Sequence, residues 1–200
     1  WGYVQLDLST YKTTQIKIRF RIWEDGDGSV ADGWYVDDIE IREKDTTTFS
    51  FPFFDNFENG LGNWTVSGSD WAIIDTDSVS PTHSVTDSLG GNYLPNAQST
   101  LTMAHSIDLS ASTTPVLSFW HKYNFADYNW GDRGYVEIST DGGFNWAVLR
   151  EWLPVVSTWG YVQLDLSDYK TTQIKIRFRM WEDGDGSVKD GWYVDDIEIR

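Results

Sequence analysis

Cysteine is absent from this chain of 200 residues. That excludes a disulfide scaffold, thiolate metal sites and a cysteine nucleophile. Positive charge is scarce: 15 Lys and Arg stand against 31 Asp and Glu, a formal net charge of −16. A chain this acidic repels phosphate backbones and anionic lipid, so nucleic acid and membrane partners are not expected. No apolar run approaches the roughly 18 residues that a membrane span needs. Helical periodicity is nearly missing as well. What the chain has in quantity is bulky apolar mass, 40% hydrophobic residues with 12 Trp, too much for disorder, so a packed core is expected. The opening Trp1-Gly2-Tyr3-Val4 reads as the middle of a strand and not as a leader peptide, so the chain is expected to begin inside a longer array.

Internal repetition is the strongest signal. Residues 1–42 and 159–200 are near-copies at an offset of 158, differing only at Thr10/Asp168, Ile22/Met180 and Ala31/Lys189. Nothing in residues 43–158 repeats in this way. The simplest account is a tandem array with a 158-residue period: residues 1–42 end one unit, 43–50 link, and 51–200 form the next complete unit. One swapped or permuted domain with a spare segment is the alternative.

The pattern along the unit has period 2. Ile174, Ile176, Phe178 and Met180 alternate with Gln173, Lys175, Arg177 and Arg179. Leu117, Phe119, His121 and Tyr123 alternate with Ser118, Trp120 and Lys122. Such strands bury one face and wet the other. Gly/Asp/Asn turns separate them, as at Asp141-Gly142-Gly143 and Asp183-Gly184-Asp185-Gly186. Many short strands with frequent turns predict an all-β, antiparallel jelly-roll β-sandwich. Residues 1–42 supply only three such strands. Leaving their apolar side chains in water forfeits on the order of 10–20 kcal/mol, at about 1.5 kcal/mol each. They are therefore expected to be completed by strands from a neighbouring repeat or from another copy of the chain.

Phe57-Glu58-Asn59-Gly60, Asn63-Trp64 and Ser69-Asp70-Trp71 open the unit, and Leu117-Ser118-Phe119-Trp120-His121 and Gly191-Trp192-Tyr193-Val194-Asp195-Asp196-Ile197 continue it. This series resembles MAM-type jelly-roll domains, and most of all the bacterial version found on immune-inhibitor-A-like metallopeptidases, subtilisin-like peptidases and cell-surface proteins. The resemblance covers residues 51–200 and implies an extracellular, accessory, non-catalytic domain. It also implies a structural cation where the first strand meets the last, on Glu58, Asp70, Asp195 and Asp196, with Asp37 and Asp38 corresponding in the partial copy. Alternation puts Asp195 on the face of Ile197 and Ile199, toward the core, where a carboxylate is costly unless paired or metal-bound. Calcium, which takes oxygen donors, is the expected ion. Capping of backbone amides, or pairing with an Arg, is the other reading of Asp195.

Three further motifs stand out. The Asp183-to-Asp190 loop lacks the Gly and Glu of an EF-hand and reads as an acidic turn. Ser139-Thr140-Asp141-Gly142-Gly143-Phe144-Asn145-Trp146 fits an Asp-box, here a hairpin-stabilising turn. Trp120, Trp130, Trp146 and Trp152 cluster with Tyr123 and Tyr128, and exposed rings of this kind stack on sugars. Tyr128, Trp130 and Trp120 are the candidate glycan-binding residues. His83, His105 and His121 make no zinc spacing, and neither G-x-S-x-G nor H-E-x-x-H occurs, so no enzyme is expected. The leading expectation is a structural or adhesive repeat of a large bacterial surface or filament-forming protein. The alternative is a carbohydrate-binding or substrate-targeting module of a secreted hydrolase.

Overall fold

The computed structural model describes residues 4, 6, 8–24, 26–29, 31–37, 39, 41, 47–68, 71–126 and 131–200. Asp38, Asp70, Tyr128 and Trp130 lie outside the described residues. The chain divides into two units, Trp1–Lys44 and Asp45–Arg200.

The first unit carries one short 3-10 turn, Ser9–Tyr11, and no strand among its described residues. Its three expected strands are absent there although the same sequence forms strands in the second unit. The physical reason is that a strand exists only against a partner ladder. Its apolar residues stay open: Ile18, Phe20, Trp34 and Ile39 are exposed.

The second unit is a jelly-roll β-sandwich, with thirteen strands among its described residues. These are β1 (Thr48–Phe49), β2 (Phe53–Asp55), β3 (Trp64–Ser67), β4 (Ala72–Ile74), β5 (Ser84–Thr86), β6 (Gln98–Met103), β7 (Ser106–Ile107), β8 (Val116–Asn124), β9 (Arg133–Ser139), β10 (Ala147–Trp152), β11 (Val155–Asp165), β12 (Lys175–Trp181) and β13 (Gly191–Ile199). One sheet runs β10-β9-β12-β6-β3, and the other runs β11-β8-β13-β5-β4 with β2 added on β13. β1 falls inside the stretch read as a linker. It pairs in parallel with β7, and Phe49 packs on Phe53 and His105. His105 sits in the bend between β6 and β7 and not in a strand.

Alternation decides what each sheet buries. In β8, Leu117, Phe119, His121 and Tyr123 turn inward, and in β12 Ile176, Phe178 and Met180 do the same. Trp192 joins the two layers. Its ring lies 5.5 Å from Phe178, 5.8 Å from Trp152, 6.0 Å from Trp71 and 6.1 Å from Phe125. The packing leaves no room at Gly134: a Cβ there would stand 2.9 Å from the Phe125 ring and 3.0 Å from Trp192. Gly191 is fixed twice over, by a φ of +91° and by Asp87, whose carboxylate receives the Trp192 amide at 2.7 Å.

Candidate functional site

The outer face of the six-stranded sheet carries the polar side of β8 with its neighbours in register. Tyr161 pairs with Trp120 across β11 and β8, and Tyr193 pairs with Lys122 across β13 and β8. Directly opposed residues share a face, so Trp120, Tyr161, Lys122 and Tyr193 form one surface. The Trp120 and Tyr161 rings stand 5.3 Å apart, and Tyr161 is 47% exposed. The Lys122 ammonium lies 4.1 Å from the Tyr193 ring centre and 5.7 Å from that of Trp159. Asp77, from the loop between β4 and β5, accepts a hydrogen bond from Lys122 and another, at 2.8 Å, from the Trp159 indole N–H. Burial opposes charge on Asp77, but these donors outweigh it and hold the carboxyl below its ordinary value. Lys122, Tyr123, Asn124, Val156, Ser157, Asp190 and Tyr193 line a shallow cleft at the end of this strip. Flat aromatic rings beside fixed polar groups are suited to sugar rings, which offer C–H faces and hydroxyl edges.

Asp195 corrects one expectation. It pairs with Trp120, and the register shifts between Asp195 and Glu198, where Asp196 takes a φ of +48°. The bulge breaks the alternation, so Asp195 shares the Trp120 face and not that of Ile197 and Ile199. It is nonetheless fully buried, because the β4–β5 loop covers it. Its carboxylate accepts the amides of Val79 (2.8 Å), Ser80 (3.1 Å) and Asp196 (2.7 Å). Burial raises its pKa to about 6 against these donors. Glu58 grips the same loop: its two oxygens accept from the amides of Thr82 and His83, the Thr82 hydroxyl and His83 Nδ1. These bonds, that with the His83 ring foremost, lower its pKa to about 2. Amide capping is thus what Glu58 and Asp195 do here. Asp37 lies in the first unit and Asp196 at the bulge, and among the described residues neither joins a group of three carboxylates.

Such a group exists elsewhere. Oxygens of Asp132, Glu182 and Asp183 all lie within 4.8 Å of one another, and the cluster could hold a metal ion. Asp132 is bound by the Tyr93 hydroxyl and by the Asp183 amide at 2.9 Å. Glu182 takes the amides of Asn96, Gly184 and Gly186. Asp183 Oδ2 is buried without a hydrogen-bond partner. Burial, helped by the charges of Glu182 and Asp183, raises the pKa of Asp132. The sequence alone marked the Asp183-to-Asp190 loop as an acidic turn and did not join Asp132 to it. The ladder does so, setting Trp181 opposite Arg133 and bringing the two loops to one end of the sheet. The Asp-box forms as expected. Asp141 accepts the amides of Phe144 and Asn145, both at 3.0 Å, and Trp146 donates to the Gly143 carbonyl at 3.0 Å.

Residues 83–200 match the family model of Reelin subrepeat B. The chain belongs to the Reelin subrepeat B family. That region holds β5 to β13, and with them Trp120, Lys122, Trp159, Tyr161 and Tyr193 and the three carboxylates; Asp77 and Glu58 lie before it. The chain is also 27% identical, over 205 residues, to Bacillopeptidase F of Bacillus subtilis, covering 99% of this chain and 14% of that protein. It therefore spans only a small part of that relative's length. Among solved structures, a cleaved adhesin domain of Lys-gingipain from Porphyromonas gingivalis superposes with a TM-score of 0.56 at 19% identity, over 74% of this chain and 97% of that one. A Clostridium thermocellum endo-1,4-beta-D-xylanase, its CBM22-1 and GH10 modules complexed with xylohexaose, gives 0.51 at 14% identity, over 76% and 28%. The Reelin subrepeat B unit thus shares its sandwich with these domains, and the resemblance read from its sequence holds at the level of that fold.

Proposed function

We propose that the second unit is a non-catalytic, extracellular glycan-binding module that targets a secreted hydrolase to its substrate. The observation that carries this is the strip of Trp120, Tyr161, Trp159 and Tyr193 on an outer sheet face, with Lys122 and Asp77 fixed between the rings. The likeness to a xylanase that carries a CBM22-1 module and to a peptidase of far greater length supports it. The near-identity of residues 1–42 and 159–200 favours a second reading, an adhesive repeat of a surface protein. Calorimetric titration with xylan, galactan and mucin oligosaccharides tests the first. One of them binds, and Trp120→Ala and Tyr161→Ala each weaken it about tenfold, the worth of one stacked ring. Absence of binding across the panel by the folded chain, or binding untouched by both substitutions, sinks the proposal.

We further propose that the ion suited to Asp132, Glu182 and Asp183 is Ca2+, a hard cation that takes oxygen donors alone. A ligand at a hundred times its Kd stabilises by about 2.7 kcal/mol. For a unit of this size that raises the melting temperature by roughly 5–10 °C. Scanning fluorimetry should show that rise with calcium over chelator, and Asp183→Asn should abolish it. An unchanged midpoint removes the ion from this cluster.

A further inference from the structure

We propose that residues 1–41 are a second closing module for the body formed by residues 47–158, interchangeable with residues 159–199. The second unit shows what this sequence does when it has a partner. Its copy there supplies β11 from Trp159 onward, β12 and β13; β12 lies between β9 and β6, and β13 between β8 and β5. Ile176, Phe178, Trp192, Val194, Ile197 and Ile199 are all 0% exposed in that setting. The same residues in the first unit, Ile18, Phe20, Trp34, Val36, Ile39 and Ile41, are 41–63% exposed. The surface that fits them is the one their copy already occupies.

The two modules are close to equal in fit. Of the three differing positions, Asp168 and Lys189 are exposed and only Met180 is in the core, where the first module has Ile22. A volume-conserving swap of this kind shifts an equilibrium by about tenfold at most. The polar contacts transfer as well, because Arg177 and Arg179, which bind Glu137, have their counterparts in Arg19 and Arg21.

Chain connection permits the exchange. Ile199 is the ladder partner of Phe53. A module ending at Ile41 in the place of Ile199 would finish about 5 Å from Phe53. Residues 42–52, with a reach of roughly 35 Å, are long enough to span that gap. Residues 1–200 hold one body and two modules, so a preparation of these 200 residues exchanges within the monomer. Association of copies leaves the number of spare modules per chain unchanged and so gains no burial. The chain's own module, at an effective concentration in the millimolar range, wins. Trp159, Tyr161 and Tyr193 correspond in sequence to Trp1, Tyr3 and Tyr35, and the exchange stands whether or not the aromatic strip binds glycans.

The test uses the whole chain, whose lack of cysteine makes disulfide trapping clean. Phe178→Asp disables the module in place, and Phe20→Asp disables the spare. Each single variant should retain the near-ultraviolet circular dichroism of a packed sandwich, and the double variant should lose it. Thr100 is the ladder partner of Arg179, whose counterpart is Arg21. Thr100→Cys with Arg21→Cys should therefore form a disulfide within the monomer in the Phe178→Asp background, and slowly in the otherwise unaltered chain. Phe178→Asp as unfolded as the double variant overturns the proposal. So does a trapped disulfide found only in covalent dimers, which would assign the module to a second copy.

Discussion

Phe119→Ala should lower the unfolding free energy by about 3–5 kcal/mol, the cost of truncating a buried aromatic whose cavity cannot collapse. Phe119 is 0% exposed at the centre of β8, and its ring lies 5.1 Å from Phe178, 5.4 Å from His121 and 5.9 Å from Trp152. Those neighbours belong to both sheets: β8 in one, and β12 and β10 in the other. Neither sheet can move in to fill the space without breaking the other's register. Phe119 also belongs to the body, of which the chain has one copy, so no repeat can take over from it. Denaturant unfolding followed by tryptophan fluorescence measures the change. A loss under about 1 kcal/mol would mean that the core repacks freely and that the two layers are not held together at this point.

The same strand shows how far the sequence could be read. Its alternation alone placed Leu117, Phe119, His121 and Tyr123 inside and Trp120 and Lys122 outside, because a regular strand has a strict period of 2. Reading failed where the period breaks. The bulge at Asp196 depends on a positive φ that nothing in the local sequence demands of a non-glycine residue, so Asp195 was assigned to the wrong face. It failed again where function needs distant segments. Asp132 meets Glu182 and Asp183 only because β9 and β12 are ladder partners, and pairing order is not written in either turn. The aromatic strip was within reach. Trp120 was named from the sequence, but its neighbour Tyr161 was not, although an aromatic on the polar side of an alternating strand, as Tyr161 is beside Gln163, carries the same signal.

Asp195→Asn should turn a chain of nearly flat acid stability into an acid-labile one, losing at most about 3 kcal/mol between pH 6.5 and 4. His121 is the cause of the loss. Burial among Phe119, Tyr123, Trp152 and Trp192 lowers its pKa from 6.5 to about 4, and its Nδ1 accepts the Trp192 indole N–H at 3.3 Å. A proton on that nitrogen would set donor against donor. Between pH 6.5 and 4 the unfolded chain therefore binds a proton that the folded one refuses, and stability falls as pH falls. Asp195 works the other way. Its pKa is raised from 3.8 to about 6, so the folded chain holds a proton that the unfolded one releases. The stability from that proton is full below pH 3.8 and is lost as pH rises through 6. Over pH 4 to 6 the two slopes oppose, each about 1.4 kcal/mol per pH unit. Removing Asp195 leaves the His121 slope opposed only by Asp132, whose raised pKa acts in the same sense as that of Asp195, while His121→Gln leaves the slope of these two acids and a chain that gains stability on acidification. Urea midpoints at half-unit steps, taken in chelator so that metal binding does not enter, separate the three curves. Parallel curves for the two variants would show that neither group sets the acid response, and that it arises instead from carboxylates with lowered pKa, Glu58 and Asp141, which lose their partners only at lower pH.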